Sequence, residues 1–129
     1  MGLLSSLAVL GGAGLGALLR WVLGMTLNPI FPTIPLGTLS ANLTGGFLMG
    51  VAVEAFATHA NAPPELRLAL TTGFLGGFTT FSTFSAEAVH LISRRLYGWS
   101  FALVGIHVIG CLFPTAIGRE AARLVLWRR

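Results

Sequence analysis

The sequence predicts an all-α membrane protein with four transmembrane helices in a single domain, and three observations favour this class. Apolar residues make up 54% of the 129-residue chain and charged residues only 9%, whereas soluble domains carry about 25% charged residues. Four apolar stretches are long enough to cross a bilayer, which takes about 20 residues. The three tryptophans lie towards the ends of these stretches, where an amphipathic ring is stable at the membrane interface.

The predicted spans cover residues 3–25, 37–58, 66–92 and 99–117 of one domain, residues 1–129. Pro29, Pro32 and Pro35 end the first helix, because proline lacks an N–H and clashes with the preceding turn. A short loop that contains Pro63 and Pro64 separates the second and third spans. Small-xxx-small pairs allow helix backbones to approach closely. Three such pairs predict a tight bundle: Gly12/Gly16, Gly46/Gly50 and Gly73/Gly77.

The charge pattern indicates a membrane protein of undetermined orientation. The net charge is +4, but the arginines flank apolar stretches and form no basic face, which argues against nucleic-acid binding. Arginine counts on the two sides of the membrane differ little, so the chain can insert either way up. One side would hold Arg67, Arg119, Arg123, Arg128 and Arg129. The other would hold Arg94 and Arg95, and Arg20 as well if its side chain snorkels to that interface.

Little in the sequence indicates an enzyme or a side-chain metal site. Cys111 is the only cysteine, so neither an intrachain disulfide nor a CxxC metal site is possible. The chain has no Asp, which excludes a Ser-His-Asp triad. His90 and His107 are interpreted as hydrogen-bonded packing residues and not as metal ligands.

The third span differs from the others and predicts an ion site. Gly76-Gly77 lies mid-span, where a helix break costs least. Phe78, Phe81 and Phe84 recur at every third position, which predicts that they share one side of a helix. A broken membrane helix survives only inside protein or beside a cavity, and its free carbonyls can hold a cation such as Na⁺. Phenyl edges are electropositive, so they and the Asn42 amide could accept a dehydrated anion. On residues alone, a packing role for the phenylalanines and back-bonding for the nearby hydroxyls stays open.

The string from Gly76 to Glu87, GGFTTFSTFSAE, resembles the signature of the Fluc (CrcB) family of fluoride channels. Further matches are Gly11-Gly12, Leu19-Arg20-Trp21, and Gly37-Thr38-Leu39 followed by Asn42, so the resemblance covers the whole chain. It implies a multi-pass protein of a microbial inner membrane that exports fluoride passively and relieves fluoride toxicity. It also implies an antiparallel, dual-topology homodimer with two pores and a central structural sodium ion.

The resemblance implies a role for each matching residue. The fluoride pore would contain Asn42, Phe81, Phe84, Ser82, Thr83 and Thr115. Backbone carbonyls of Gly76 and Thr79 would bind the structural Na⁺, and Arg20 would lie at a pore entrance or anchor its span at the interface. Cys111 departs from the pattern, because a small hydroxyl residue is expected there. Glu87 is interpreted as a structural residue that either pairs with a basic group across an interface or hydrogen-bonds within the bundle, and Glu54 as an interfacial residue.

Two other functions are compatible with four short spans. A proton-coupled multidrug exporter of the four-helix dual-topology type would need a carboxylate deep in the membrane, and Glu54 and Glu87 lie away from the span centres. A purely structural subunit of a larger complex would not need the glycine pair, the phenylalanines and the hydroxyl cluster in one span. The sequence therefore favours the fluoride channel.

Overall fold

The computed structural model describes residues 2–127, and within this range the chain is helical and contains no strand. This confirms the predicted all-α class. The elements are α1 (Leu3–Leu27), a 3₁₀ turn (Asn28–Ile30), α2 (Leu36–Thr58), α3 (Pro64–Leu68), a π-helical segment (Ala69–Leu75), α4 (Gly76–Phe78), α5 (Phe81–Ser93) and α6 (Tyr97–Leu126). Arg128 and Arg129, which the sequence assigns to a charged tail, lie outside the described residues.

Three stretches of the described chain are long and apolar enough to cross a membrane: Leu3–Ile30, Leu36–Thr58 and Tyr97–Leu126. The remaining predicted span is the interrupted run from α3 to α5. The last helix extends past the expected end at residue 117. Glu54 of α2 accepts a 3.2 Å charged hydrogen bond from Arg119 Nε, which ties this extension to the rest of the bundle.

The interruption of the third span lies at Thr79 and Thr80, three residues later than the glycine pair suggests. Thr79 has φ −87° and ψ 158°, and Thr80 has φ −151° and ψ 116°, so both are extended, whereas Gly76 and Gly77 belong to α4. The break also separates Phe78, which is buried and stacks on Phe74, from the α5 phenylalanines. The expectation that three regularly spaced phenylalanines share one helix face is therefore wrong for Phe78.

Gly77 stays within the helix, and its lack of a side chain allows α1 to pack closely against it. A Cβ on Gly77 would lie 2.9 Å from the Ala13 Cα of α1, and one on Gly73 would lie 2.9 Å from the Val9 carbonyl oxygen. From the α1 side, a Cβ on Gly16 would lie 2.7 Å from the Phe78 amide nitrogen. We call this contact between α1 and the run from α3 to α4 the glycine seam.

A second close contact joins α2 to α6. A Cβ on Gly46 would lie 3.1 Å from the Cys111 carbonyl oxygen, and one on Gly50 would lie 2.9 Å from the Arg119 amide nitrogen. All three predicted glycine pairs therefore lie at helix–helix contacts, and the predicted tight bundling is confirmed. Apolar side chains on the outer faces remain exposed, as for Ile109 on α6, which suits contact with lipid.

Candidate functional site

The candidate site is built around the break, where the backbone has lost its helical hydrogen bonds. The side-chain amide of Asn42, on α2, lies at the break and bonds to the backbone there through both its nitrogen and its oxygen. Its Nδ2 donates to the Thr80 carbonyl oxygen at 3.0 Å, and its Oδ1 accepts from the Thr80 N–H at 2.8 Å. Asn42 is buried, so these bonds satisfy backbone groups that lipid could not.

Thr80 also begins the next helix. Its hydroxyl oxygen accepts from the Thr83 N–H at 3.1 Å, the usual arrangement of a threonine N-cap. The same hydroxyl lies 3.0 Å from Thr83 Oγ1 and 3.2 Å from Ser82 Oγ. The predicted pore hydroxyls Ser82 and Thr83 are thus gathered around Thr80, a residue that the sequence analysis does not single out. A threonine placed just before a helical stretch is the signal that could have identified it.

The two carbonyls expected to bind sodium are those whose helical donors have been diverted. In a continuous helix the Thr80 and Thr83 amides would donate four residues back, to the carbonyls of Gly76 and Thr79. Here those amides donate instead to the side chains of Asn42 and Thr80. The intervening Gly77 carbonyl accepts from Arg20 Nε at 3.1 Å, so Arg20 caps the end of α4.

A cavity of about 420 Å³ lies against the break, between α2, α5 and α6. We call it the anion cavity. Four of the predicted pore residues line it: Asn42, Phe81, Phe84 and Thr115. Ser82 and Thr83 do not. Phe81 and Phe84 meet edge to face with ring centroids 5.4 Å apart, and their exposed fractions are 78% and 7%.

A smaller cavity of about 300 Å³ lies on the other side of the break. Arg20, Asn28 and Thr38 line it, together with Thr80, which also lines the anion cavity. We call it the Arg20 cavity. Thr80 therefore separates two cavities that adjoin the same break, and Arg20 lies in the wall of one of them as well as at the Gly77 carbonyl.

Comparisons with known proteins give the family of this chain. The family model described as "CrcB-like protein, Camphor Resistance (CrcB)" matches residues 7–119. The chain belongs to the CrcB family. A protein of Nitrosospira multiformis named "Fluoride-specific ion channel FluC" is 58% identical over 118 residues, which cover 92% of each chain. Proteins of the same name from Burkholderia pseudomallei and Burkholderia thailandensis are 51% identical over 119 residues, 92% of this chain and 93% of theirs.

This CrcB chain is a multi-pass protein of the bacterial cell membrane, and each of its two intramembrane carboxylates has one polar partner. Glu87 Oε1 accepts from the Thr38 hydroxyl at 2.5 Å, whereas its Oε2 is buried without a partner, and Glu54 pairs with Arg119. Within residues 2–127, no three His, Cys, Asp or Glu side chains converge in a way that could hold a metal ion.

Three residues at four-residue intervals along α6 line the anion cavity. The His107 ring stacks on Phe84 with centroids 4.5 Å apart, and its Nδ1 lies 3.1 Å from the Leu103 carbonyl oxygen. Cys111 follows one turn later in the same wall. Thr115, a further turn on, donates to the carbonyls of Gly46 and Cys111 at 2.9 and 2.7 Å. The spacing 107, 111, 115 is the signal that places all three side chains on one helix face.

Proposed function

We propose that this CrcB protein is a fluoride-selective ion channel, not an enzyme, and that it exports fluoride passively to relieve fluoride toxicity. Curated relatives that are 50–58% identical over most of the chain carry the name fluoride-specific ion channel. The structural observation that carries the proposal is the anion cavity: two phenyl rings and an amide lie beside a helix break within a membrane span.

The cavity offers an anion contacts that replace part of its water shell. The positive edges of Phe81 and Phe84 attract an anion that has shed water. Asn42 has two amide hydrogens, and only one of them is needed for the Thr80 carbonyl, so the other can donate to the anion. Thr115 already donates to backbone carbonyls, so it must rotate before it can donate to the anion.

The multidrug-exporter alternative is not favoured, because its mechanism needs a membrane carboxylate that exchanges protons for a cationic substrate. Glu54 is paired with Arg119 near the end of α2, and Glu87 accepts a short hydrogen bond from Thr38. Neither carboxylate lines the anion cavity. Uptake of a lipophilic cation driven by a pH gradient would favour the exporter, and its absence is expected.

The channel works as an antiparallel homodimer in this proposal. Phe81 is 78% exposed and Gly76 is also exposed, so a single chain leaves one side of the break uncovered. Lipid cannot satisfy the freed backbone groups, so a second protein surface must cover them. Because the arginine bias is weak, that surface can be an inverted copy related by a two-fold axis in the membrane plane.

A structural Na⁺ fits the Gly76 and Thr79 carbonyls. Both oxygens are hard ligands whose helical N–H donors are diverted to side chains, and unwound carbonyls of this kind hold Na⁺ in transporters. When bound, the ion would supply positive charge between the two copies. Exchange of Na⁺ for N-methylglucamine during purification should lower the dimer fraction and the fluoride flux. Unchanged dimer and flux in fully sodium-free samples would rule the sodium site out.

Ion efflux from liposomes tests the proposed function. Liposomes that carry the purified protein and an excess of potassium ionophore should release fluoride within the dead time of a fluoride electrode, and should retain chloride under the same gradient. Protein-free liposomes give the baseline for both ions. Chloride efflux comparable to fluoride efflux would contradict the proposal.

Labelling of the C-terminus tests the antiparallel arrangement. A membrane-impermeant reagent should label a C-terminal tag from both sides of the membrane in roughly equal amounts, because each dimer holds one copy of each orientation. A separate membrane protein of known single orientation, carrying the same tag, serves as the control for vesicle integrity. Labelling from one side only would refute the antiparallel homodimer and leave the fluoride-efflux test unaffected.

A further inference from the structure

An ion pair between α2 and α6 lies just beyond one end of the anion cavity. Arg119 Nε donates to Glu54 Oε2 at 3.2 Å. Thr115 is the last α6 residue that lines the cavity, and Met49 is the last on α2. Arg119 follows Thr115 by about one turn, and Glu54 follows Met49 by about one and a half turns. Because α2 ends at Thr58, this end of the cavity lies towards the membrane surface.

The two helices run in the same direction along their contact, so the cavity and the ion pair follow one another along it. A Cβ on Gly46 would lie 3.1 Å from the Cys111 carbonyl oxygen, and one on Gly50 would lie 2.9 Å from the Arg119 amide nitrogen. Side chains four residues apart on a helix are neighbours, so Arg119 lies next to Thr115, which lines the cavity. The fold therefore places a guanidinium group at the end of the cavity.

The two partners of the ion pair differ in exposure. The Arg119 side chain is 63% exposed, whereas that of Glu54 is 10% exposed. Only Nε of the guanidinium contacts Glu54, and within residues 2–127 its two terminal NH₂ groups have no hydrogen-bond partner. Apolar residues of similar volume would stabilise a helix contact at least as well as a buried ion pair. Stability alone therefore does not explain the pair, and its free donors are on the exposed partner.

The anion cavity itself lacks a formal positive charge. Among the described residues, no arginine lines it. Phenyl edges, amides and hydroxyls act at short range, whereas a full charge at a cleft of low dielectric raises the local concentration of the opposite ion and its rate of entry. Arg20 caps the Gly77 carbonyl and lines the Arg20 cavity, on the other side of the break. Arg119 therefore supplies positive charge at a different end of the path.

We propose that Arg119 attracts small anions, fluoride included, to this end of the anion cavity, and that Glu54 positions the guanidinium there. The inference deepens the proposed fluoride function and rests on it. Glu54 accepts the Nε–H and so keeps a long side chain from turning away towards the lipid headgroups. Because Arg119 is the more exposed partner, an arriving anion meets its positive charge first. Arg119 raises the rate of entry and does not distinguish fluoride from chloride.

Single-channel fluoride current in a planar bilayer tests the proposal. It is measured in potassium isethionate at about 0.01 M and about 1 M, where the Debye length is about 30 Å and about 3 Å. Arg119→Gln should lower the current at least about threefold at low salt and less than about 1.5-fold at high salt, because salt screens an exposed charge. Arg119→Lys keeps the charge and should conduct like the parent. Equal currents in the parent and Arg119→Gln at low salt would overturn the proposal.

The reversal potential separates this inference from the proposed function. It should stay at the fluoride equilibrium potential in the parent and in Arg119→Gln, because the guanidinium affects entry and not selectivity. A parent current that reverses elsewhere would contradict the fluoride function, whereas a changed reversal potential in Arg119→Gln alone would make Arg119 part of the selective site and overturn its role as an attracting charge.

Arg123→Gln is the matched control on the same helix. Arg123 is 55% exposed and also pairs with a carboxylate, that of Glu120 at 3.7 Å, but both residues belong to α6 and lie further from the cavity. Its low-salt current should stay within about 1.5-fold of the parent, since a charge that is further away and in water is weaker. A loss equal to that of Arg119→Gln would mean that general surface charge attracts the anion and would overturn the assignment to Arg119.

Glu54→Gln separates an electrostatic role of the pair from a structural one. The glutamine oxygen can still accept the Nε–H of Arg119, while the negative charge is lost, so the low-salt current should equal or exceed that of the parent. A fall in both Glu54→Gln and Arg119→Gln would mean that the pair only joins the helices, and would overturn the proposal.

The double variant guards against misfolding, because Arg119→Gln leaves the buried Glu54 carboxylate without its partner. Glu54→Gln combined with Arg119→Gln has no charge at either position and should keep the gel-filtration profile of the parent. Its low-salt current should be at least about threefold below that of Glu54→Gln alone, since the two proteins differ only in the charge at residue 119. Equal currents in these two proteins would overturn the proposal.

Discussion

The two halves of the interrupted span are built in different ways. The half that ends at Phe78 packs on α1 through the glycine seam, backbone against backbone, and needs almost no side-chain chemistry. The half that begins at Phe81 is positioned by polar groups, chiefly Asn42 and the Thr80 hydroxyl. Close backbone packing therefore positions the first half of the span, and hydrogen bonds position the second half. The two phenylalanines proposed to line the pore, Phe81 and Phe84, belong to the second half, where the backbone needs external partners.

The adjacent glycines of α4 make the contrast sharpest, because they face opposite ways. Gly77 lies against Ala13 in the glycine seam, whereas a Cβ on Gly76 would meet only the Thr71 carbonyl oxygen, at 3.7 Å. Gly76 is also exposed. One glycine therefore serves the packing of the chain with itself, and the other is available to a partner copy.

The largest expected effect is that of Gly77→Val. A side chain there must displace the α1 backbone, and such overpacking costs about 1–3 kcal/mol, or more where the neighbour cannot move. We expect loss of folded protein, measured as the monodisperse fraction by fluorescence-detected gel filtration. Gly76→Val is the matched control and should leave the chain folded but shift the dimer to monomer and abolish fluoride efflux. Dimeric and active Gly76→Val would contradict the proposed interface.

Asn42→Ala should give the next largest effect. It leaves the Thr80 N–H and carbonyl without their partner, and each unpaired buried group costs about 1–3 kcal/mol. The temperature of half-unfolding in detergent should fall and fluoride efflux should be lost. Asn61→Ala in the exposed loop should change neither quantity. Parent-like thermal stability of Asn42→Ala would mean that the amide does not hold the break.

Phe81→Ile separates conduction from stability. The residue is 78% exposed, so the change removes the ring quadrupole at little cost to the fold of the chain. Fluoride efflux should fall at least about tenfold, equivalent to 1.4 kcal/mol or more on the barrier, while the dimer persists on gel filtration. Phe101→Ile, at the same exposure on α6 and outside the cavity, should conduct like the parent. Parent-like conduction by Phe81→Ile would mean that the Phe81 ring does not line the pore.

The smallest expected effect is that of Thr79→Ser. If the carbonyl of Thr79 binds Na⁺, the side chain matters only for packing and for the 2.9 Å bond from its hydroxyl to the Leu75 carbonyl. Serine keeps that bond and loses one methyl near Gly45, worth about 1 kcal/mol or less. Thr79→Val keeps the shape and loses the hydroxyl. The dimer fraction and the fluoride efflux should stay at the parent's level in both variants. If only Thr79→Val lost the dimer and the efflux, the Na⁺ ligand would be the Thr79 hydroxyl and not its carbonyl.

The sequence predicted the helical bundle better than it predicted the candidate site. Apolar length and glycine spacing identify the bundle, because both are local patterns with a direct structural meaning. The position of the break could not be read locally, since Asn42 lies 38 residues before Thr80 and pairs with it only in the fold. Similarly, His107 looks like a packing residue until its ring is seen in the same cavity wall as Phe84 and Cys111.

The most direct test of the account is the reversal potential of current through the protein in a planar bilayer. With a tenfold fluoride gradient and equal chloride on both sides, a passive fluoride channel should reverse near the fluoride equilibrium potential, about 59 mV. A superimposed chloride or pH gradient should leave that value unchanged. A reversal potential that follows chloride, or one that moves with the proton gradient, would contradict the assignment of this chain as a passive, fluoride-selective channel.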